Sequence, residues 1–512
     1  MKSPILKNTL TNYLTVAIRL PQAILMTRWL LAYLGRELYG FWVLLWSLYL
    51  YSLLLDFGFG VSLQKYTAMG LFEKDPEHYN KIVSTVLAVY LAMAVVIVAA
   101  TIGGSFFLGW LIRVNDPEQL DYFKTCFLLF GCGAAMVFIT AGVPEILVGL
   151  QKIYIRNYVN AITHLVTFIG AWVILSSGGG LVTLIIFTIL TQILCNLTMC
   201  IYVWKQIPTL RIRPKLEKKI CREILNFSGF VYVISLSRLV MNKSGDLLVS
   251  AYHGLSAVGI YHLAGRLPDL CNQAVAQYEE NFRPIAAYLY SKGEHKRLQT
   301  TMINSLRWSG FLASFFLFAA WFLCEDALQF LFKVSDPEVT YLCRIFLILM
   351  FIVTACDRFP RDFLLMTEKH RKLAFLSIFE AAANLVLPLI LLNFYSSQCL
   401  VWTAIGTKVF LLLFLILPEV LKYLEVSWWY YLWKLYLLPF VAMIVPVIWI
   451  KSGQNLLPPD SSSFLRLAWC GTGALACYLV IAWLMLLSGE ERQLLKNKIS
   501  DLLRKWGGAW VH

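Results

Sequence analysis

Ten charged side chains set inside long apolar runs are the residues of this chain that could do chemistry. Arg19, Arg28, Arg238, Lys243, Arg266 and Lys408 are the cations, and Asp56, Glu145, Asp246 and Asp269 the carboxylates. A charge at the centre of a bilayer costs roughly 2.5–3.5 kcal/mol, so each persists only with a partner, a water-filled cavity or a route to the interface. Arginine holds phosphate oxygens through a planar, two-pronged fork. Arg19 and Arg238 lie about nine residues into their apolar runs, about 13 Å of helix at 1.5 Å per residue. That is deep for a side chain reaching back to the headgroups, so the pair is expected to face a cavity and hold an anion.

The other candidates divide by spacing. Arg266 and Asp269, like Lys243 and Asp246, stand at i,i+3, which permits pairing on one helix face. Mutual neutralisation in a packed bundle and exposure to a cavity both fit. Arg28 lies nearer the far end of its run, where snorkelling competes with a cavity role, and Lys408 stands mid-run with no partner in the sequence. Asp56 belongs to Asp-Phe-Gly-Phe-Gly, whose glycines permit bending or close helix approach. Its carboxylate could pair with Arg19 or bind a coupling cation; Glu145, beside Pro144, is a second such candidate.

Those charges must be positioned by membrane-spanning helices. The chain of 512 residues is 59% hydrophobic and 14% charged, with a mean hydropathy of +0.67. Val83 to Ile112 runs thirty residues without a charge, longer than the roughly 20 that cross a bilayer. A soluble helical protein would need a polar face on most helices, and this composition excludes it. Lys2 and Lys7 precede a long first helix that contains Arg19 and Arg28, so no cleaved signal is expected. The twelve cysteines form no C-x-x-C pair and no cluster with metal spacing, and read as small buried hydrophobes. No P-loop and no Ser/His/Asp spacing emerges. Neither a cofactor, a metal nor catalysis is expected.

Apolar runs place about fourteen helices in an all-α polytopic protein. They fall near 10–33, 41–63, 82–112, 125–149, 157–176, 181–204, 227–252, 257–290, 301–324, 340–362, 372–395, 399–421, 431–451 and 464–488. About 29 of the 44 Lys and Arg lie on the side of the two termini and about 5 opposite, which puts both termini in the cytoplasm. The net charge of +14 is therefore a topology signal, not one for nucleic acid. Its densest block, Lys205 to Arg222, anchors the loop after helix six. Trp, Tyr and Phe near span ends read as interfacial belts, with sugar stacking the less favoured role.

The chain also repeats itself. A shift of 219 residues puts Tyr13 on Tyr232, Arg19 on Arg238, Tyr33 on Tyr252, Gly35 on Gly254 and Gly40 on Gly259. A shift of 216 puts Pro144 on Pro360 and Glu145 on Arg361. Two six-helix parallel repeats (1–221 and 222–425) are expected, followed by two further helices and a cytoplasmic tail (426–512). The register places Asn242–Asp246 inside helix seven, where hydropathy alone would put a loop. Asp56 falls on Val275, so any role for it belongs to the first repeat.

The segment Leu34-Gly35-Arg36-Glu37-Leu38-Tyr39-Gly40-Phe41-Trp42, followed by Leu55-Asp56-Phe57-Gly58-Phe59-Gly60, resembles the second helix of the polysaccharide transporter family. That family belongs to the multidrug/oligosaccharidyl-lipid/polysaccharide exporter superfamily and includes the O-antigen flippases. Leu147–Gln151 and Gly254–Tyr261 are similar to it as well, and the resemblance spans about residues 10–425. It implies an inner-membrane flippase carrying undecaprenyl-diphosphate-linked sugar units to the outer leaflet by alternating access. Its partners would be the lipid-linked oligosaccharide, membrane lipids and polysaccharide polymerase or assembly proteins, with no nucleic acid. The cations above would then line a diphosphate-binding cavity. A lipid II flippase or a multidrug/cation antiporter of the same superfamily is the alternative. A polysaccharide polymerase or ligase is more distant, since those need a large external loop that this chain lacks.

Overall fold

The computed structural model describes residues 4–114, 116–213, 215–279, 282–366, 370–433, 437–458, 460–485 and 492–493. Of a few positions inside helices, Arg238 among them, the backbone alone is described. Among the described residues every regular element is helical, and the protein is a polytopic all-α membrane protein. In chain order the helices are α1 (Pro4–Ser52), α2 (Phe59–Ala68), α3 (Leu71–Lys74), α4 (Pro76–Ile112), α5 (Pro117–Ile139), α6 (Val143–Gly149) and α7 (Ile153–Ser176). Then come α8 (Leu181–Gln206), α9 (Lys218–Glu279), α10 (Phe282–Ser291), α11 (His295–Phe322), α12 (Cys324–Phe332), α13 (Pro337–Phe351) and α14 (Arg358–Met366). α15 (His370–Leu391), α16 (Gln398–Leu411), α17 (Leu417–Leu424), α18 (Trp428–Leu432), α19 (Leu438–Ala442), α20 (Ile444–Leu456) and α21 (Ser463–Met485) follow.

Among the described residues, 11 helices are long and apolar enough to cross a membrane. The stretch expected as one span near 431–451 is instead described as the short helices α18, α19 and α20, with residues 434–436 outside the described set. The expected second helix is also broken. After a 3-10 turn at Leu53–Asp56, Phe57 (φ 47°) and Gly58 (φ 81°) adopt left-handed backbone before α2 begins.

Local sequence explains the helix starts. The tripeptide Asp-Pro-Glu opens α4, α5 and α13. Each aspartate caps the helix, accepting from the backbone N–H two or three residues on: His78 at 3.0 Å, Glu118 at 3.4 Å and Glu338 at 2.9 Å. Proline in the first turn lacks the N–H that would go unsatisfied there, and the glutamate sits at the positive end of the helix dipole.

Two compact units emerge. The first comprises Met1–Gly265 and Glu368–Thr407, the second Arg266–Thr367 and Lys408–His512. Two cores are described in the first unit. One gathers Tyr39, Phe41, Leu44, Phe123, Ala171, Leu184, Val249 and Val258; the other gathers Phe59, Tyr79, Val86, Phe138, Leu147 and Ile224. In the second unit Phe311 stacks on Tyr478 with centroids 4.1 Å apart, inside a core with Ala442 and Met443.

The sequence repeat has a physical counterpart in the first unit. α1 turns at Gly35 (φ 77°, ψ 177°) and α9 at Gly254 (φ 80°, ψ 179°), the same conformation at positions 219 apart. Only glycine adopts that region without strain. The next glycine of each copy makes a reciprocal contact. A Cβ added at Gly40 would stand 1.9 Å from the Leu255 carbonyl oxygen, and one at Gly259 would stand 2.8 Å from that of Arg36. Leu255 and Arg36 are themselves 219 apart, so each copy presents a bare glycine to the other's carbonyl. Small residues permit such backbone approach between helices in lipid.

Candidate functional site

Among the described residues, intramembrane charges form three constellations. The first lies on α9 in the first unit. Asp246 is buried, 3% exposed. Its Oδ2 accepts from Ser47 Oγ on α1 at 2.6 Å and lies 3.6 Å from Lys243 Nζ. Lys243 and Asp246 lie within the helix, where the repeat register puts them and hydropathy does not. The hydroxyl adds a second donor to a carboxylate that a bilayer would otherwise protonate or expel.

The second constellation joins the 3-10 turn, α2, α4, α6 and α7 of the first unit. Asp56 ends the 3-10 turn, and its Oδ1 accepts from the Gly60 backbone N–H at 3.0 Å and from the Tyr90 hydroxyl on α4. Glu145 on α6 faces Arg156 of α7, Oε1 to Nη1 at 3.7 Å. A Cβ at Gly60 would lie 3.3 Å from Glu145 Cγ and 3.5 Å from Asp56 Oδ1. The bare glycine therefore separates two carboxylates, of which Glu145 has Arg156 as its cation and Asp56 the Tyr90 hydroxyl as its donor. Asp56 pairs with Tyr90 and not with Arg19, the partner its sequence position suggested: Arg19 is exposed, and no ion pair between the two exists among the described residues.

The third constellation occupies the second unit, and sequence reasoning missed most of it. Glu279, at the end of α9, is buried, 1% exposed; it accepts from Ser309 Oγ on α11 at 2.6 Å and from Arg358 Nη1 on α14. Arg358 also donates from Nη2 to Asn272 Oδ1 at 2.9 Å. The adjacent Asp357 ends a π-helical segment, Ile352–Asp357. Its Oδ1 accepts from Arg361 Nε at 2.7 Å, and its Oδ2 from Lys408 Nζ on α16 at 3.1 Å. Lys408, which the sequence left without a partner, is therefore ion-paired. Asp362 is buried nearby. Consecutive helical residues point about 100° apart at 3.6 residues per turn, so Asp357 and Arg358 can serve different neighbours. The helix offers an anion to α16 and a cation to α9.

A signal for this network existed in the sequence. The run Asp357-Arg358-Phe359-Pro360-Arg361-Asp362 packs four charges into six residues. It reads as the polar end of a span near 362, whereas the structure buries it. The shift of 219 supplies a second signal, because it puts Tyr90 on Ser309 and Gly60 on Glu279. Both halves place a hydroxyl at the same repeat position and donate it to a carboxylate, Asp56 in one and, one turn further on, Glu279 in the other.

The remaining candidates stand apart. Arg28 is half-buried, and like Arg19 it makes no ion pair among the described residues. Arg238's side chain lies outside the described residues. Arg266 makes no ion pair with Asp269 despite the i,i+3 spacing; its Nε is buried without a hydrogen-bond partner, while Asp269 is exposed and engaged elsewhere. Among the described residues no group of three His, Cys, Asp or Glu could hold a metal ion.

A family model described as "Polysaccharide biosynthesis protein" matches residues 83–312. No curated protein sequence matches the chain. Among solved structures, the chain is similar to the lipid II flippase MurJ in an inward closed conformation. The TM-score is 0.71 at 12% identity, covering 93% of this chain and 98% of that one. It is also similar to a multidrug resistance MATE family transporter of the MOP superfamily in an inward-facing conformation, with a TM-score of 0.67 at 15% identity over 83% and 99% of the two chains. A MOP superfamily transporter from Pyrococcus furiosus, for which a reversed polarity of the binding pocket is described, gives 0.57 at 13% identity over 83% and 96%.

Proposed function

We propose that this chain is a flippase of the multidrug/oligosaccharidyl-lipid/polysaccharide exporter superfamily and that it moves polyprenyl-diphosphate-linked oligosaccharides. The direction is from the cytoplasmic to the outer leaflet of the inner membrane, supplying surface polysaccharide synthesis by alternating access. The observation that carries this reading is the polysaccharide-biosynthesis match on a flippase-like fold whose α1 holds two cations, Arg19 and Arg28, without an ion pair among the described residues. Arg19 and Arg238 take the diphosphate, helped by Arg28, Lys243 and Arg266. The protein is a transporter and not an enzyme. Both termini are cytoplasmic, and a polysaccharide polymerase is the downstream partner.

Asp56 and Glu145 are the coupling candidates. Two carboxylates set about Gly60, with Arg156 paired to Glu145 and no ion pair to Asp56 among the described residues, favour a cation at that place, which suits a flippase coupled to an ion gradient. The same observation keeps a cation antiporter as the second reading.

A strain lacking the gene and complemented with the full chain tests the cargo. Wild type should restore surface polysaccharide and clear accumulated lipid-linked oligosaccharide. Arg19→Ala and Arg238→Ala should each do neither at normal abundance in the membrane, and the Lys variants should recover only part, since a point charge lacks the fork. Unchanged polysaccharide in the deletion strain rejects the assignment.

A further inference from the structure

The stretch 205–222 in the first unit carries seven cations against one carboxylate, Glu217, and takes no part in the three constellations. The start of α4 clasps its backbone. Asn80 grips it twice, donating from Nδ2 to the Thr209 carbonyl at 3.0 Å and accepting at Oδ1 from the Arg211 N–H at 3.1 Å. One turn on, Ser84 Oγ accepts from the Arg213 N–H at 3.0 Å, and Thr85 Oγ1 donates to the Lys215 carbonyl at 3.3 Å. Side chains alternate along the clasped stretch. Leu210 is buried and Ile212 half-buried in the core around Tyr79 and Ile224, while Arg211, Arg213 and Lys215 are exposed. α4 therefore fixes three outward positions through their backbone and leaves the cationic heads to solvent. Lys205, Lys218, Lys219 and Arg222 are exposed as well, and none of the seven makes an ion pair among the described residues. The nearby Lys81 makes the contrast, closed on Glu77 at 2.8 Å.

The clasp lies at the border of the apolar region. Asn80, Ser84 and Thr85 bracket Val83, where the charge-free run of α4 begins, and the exposed Trp204 ends that of α8 directly before Lys205. Tryptophan in that position belongs to the headgroup layer, and Leu216, beside Lys215, is exposed at the other end of the clasp. We propose that 205–222 is a binding surface for the headgroups of anionic phospholipids, with Arg211, Arg213 and Lys215 as its contacts and Asn80, Ser84 and Thr85 as the residues that hold them in a row. The phosphates of such lipids lie at the depth of this array and carry the complementary charge. Basic residues next to a span gain about fivefold in affinity each for an anionic surface. The depth of the array, with apolar side chains at both of its ends, favours lipid over an acidic soluble protein. A loop that serves only to orient the chain during insertion needs the charges but no clasp. The surface does not depend on which cargo the protein carries.

Native mass spectrometry of the purified full-length protein, titrated in detergent with dioleoyl phosphatidylglycerol or dioleoyl phosphatidylcholine, counts the bound lipid. Wild type should prefer phosphatidylglycerol by about tenfold or more, given about fivefold per cation. The variant Arg211→Gln/Arg213→Gln/Lys215→Gln should lose that preference at an unchanged thermal midpoint, because the clasp runs through the backbone and stays in place. Asn80→Ala keeps every charge, yet should weaken phosphatidylglycerol binding several-fold by releasing the row. Should Asn80→Ala lower the protein yield, Ser84→Ala, which releases only the Arg213 N–H, repeats the measurement. A wild type without the preference overturns the proposal, and so does a triple or clasp variant that keeps it in full. Farnesyl diphosphate is the parallel probe for the cargo headgroup. Loss of phosphatidylglycerol binding with farnesyl diphosphate binding unchanged supports the lipid surface. The reverse pattern in the triple variant assigns the array to the cargo and overturns the proposal, while leaving the flippase reading intact.

Discussion

The buried carboxylates show how single residues decide whether a charge can stay in this membrane protein. Asp246 has two donors from two helices, Ser47 and Lys243. Removing one partner of a buried ion pair costs about 3–5 kcal/mol; Lys243 keeps a quarter of its side-chain surface accessible, so about half that is the fair expectation. Asp246→Ala should therefore lower the thermal midpoint of the detergent-solubilised protein. Adding Lys243→Met should recover most of the loss, because the stranded cation is then gone. Equal midpoints for the single and double variants would remove charge pairing as the reason. The glycines make a second residue-scale contrast. Gly40→Ala sets a methyl 1.9 Å from a backbone oxygen, which no rotamer relieves, and should nearly abolish folded protein. Gly35→Ala meets nothing within 4 Å and should cost only the backbone strain, about 1–3 kcal/mol. Fluorescence-detected yield in the membrane ranks the two.

At the scale of elements, the π segment Ile352–Asp357 sets which way Asp357 faces. Deleting Val353 removes the extra residue of that segment and restores a regular helix, with α13 and α14 facing nearly as before, so only the turn itself is altered. Transport should then fall with the helical content unchanged by circular dichroism. Full activity in the deletion variant would show that the π turn has no role. This element also marks the limit of what the sequence discloses. The shift of 219 makes the Gly35 and Gly254 turns and the helical placement of Lys243 and Asp246 legible, because backbone constraints leave glycine at fixed positions. The Asp357–Lys408 pair is not legible, because its partners are 51 residues apart and hydropathy reads a charge-dense run as a helix end. The break at Phe57–Gly58 is legible only in part: the glycines of Asp-Phe-Gly-Phe-Gly permit a bend, but the apolar residues around it do not say that the left-handed backbone ends the helix there. The Arg266–Asp269 spacing failed for the converse reason, since i,i+3 permits a pair without requiring one.

At the scale of the whole molecule, the proposed function makes charge responsible for both topology and driving force. The excess of Lys and Arg on the side of the termini predicts that reporters fused after Arg213 read cytoplasmic and those after Gly178 external; the reverse pattern would overturn the orientation. A cytoplasm that is electrically negative favours outward movement of a diphosphate by ~2.3 kcal/mol per charge per 100 mV. Asp56, with Tyr90 on its carboxylate and Glu145 across Gly60, offers the competing source, an ion gradient. Asp56→Asn should abolish transport if coupling passes through that place and leave voltage-driven transport intact if it does not.

The most direct measurement of the central claim is flipping itself. Purified protein in proteoliposomes would be given a fluorescent polyprenyl-diphosphate-linked oligosaccharide, with membrane-impermeant quenching of the exposed leaflet as the readout. Wild type should move the lipid across the bilayer far faster than empty liposomes, and Arg19→Ala/Arg238→Ala should match the empty ones. Wild-type rates no greater than those of empty liposomes, or full activity in the double alanine variant, would contradict the assignment of a diphosphate-linked cargo held by that arginine pair.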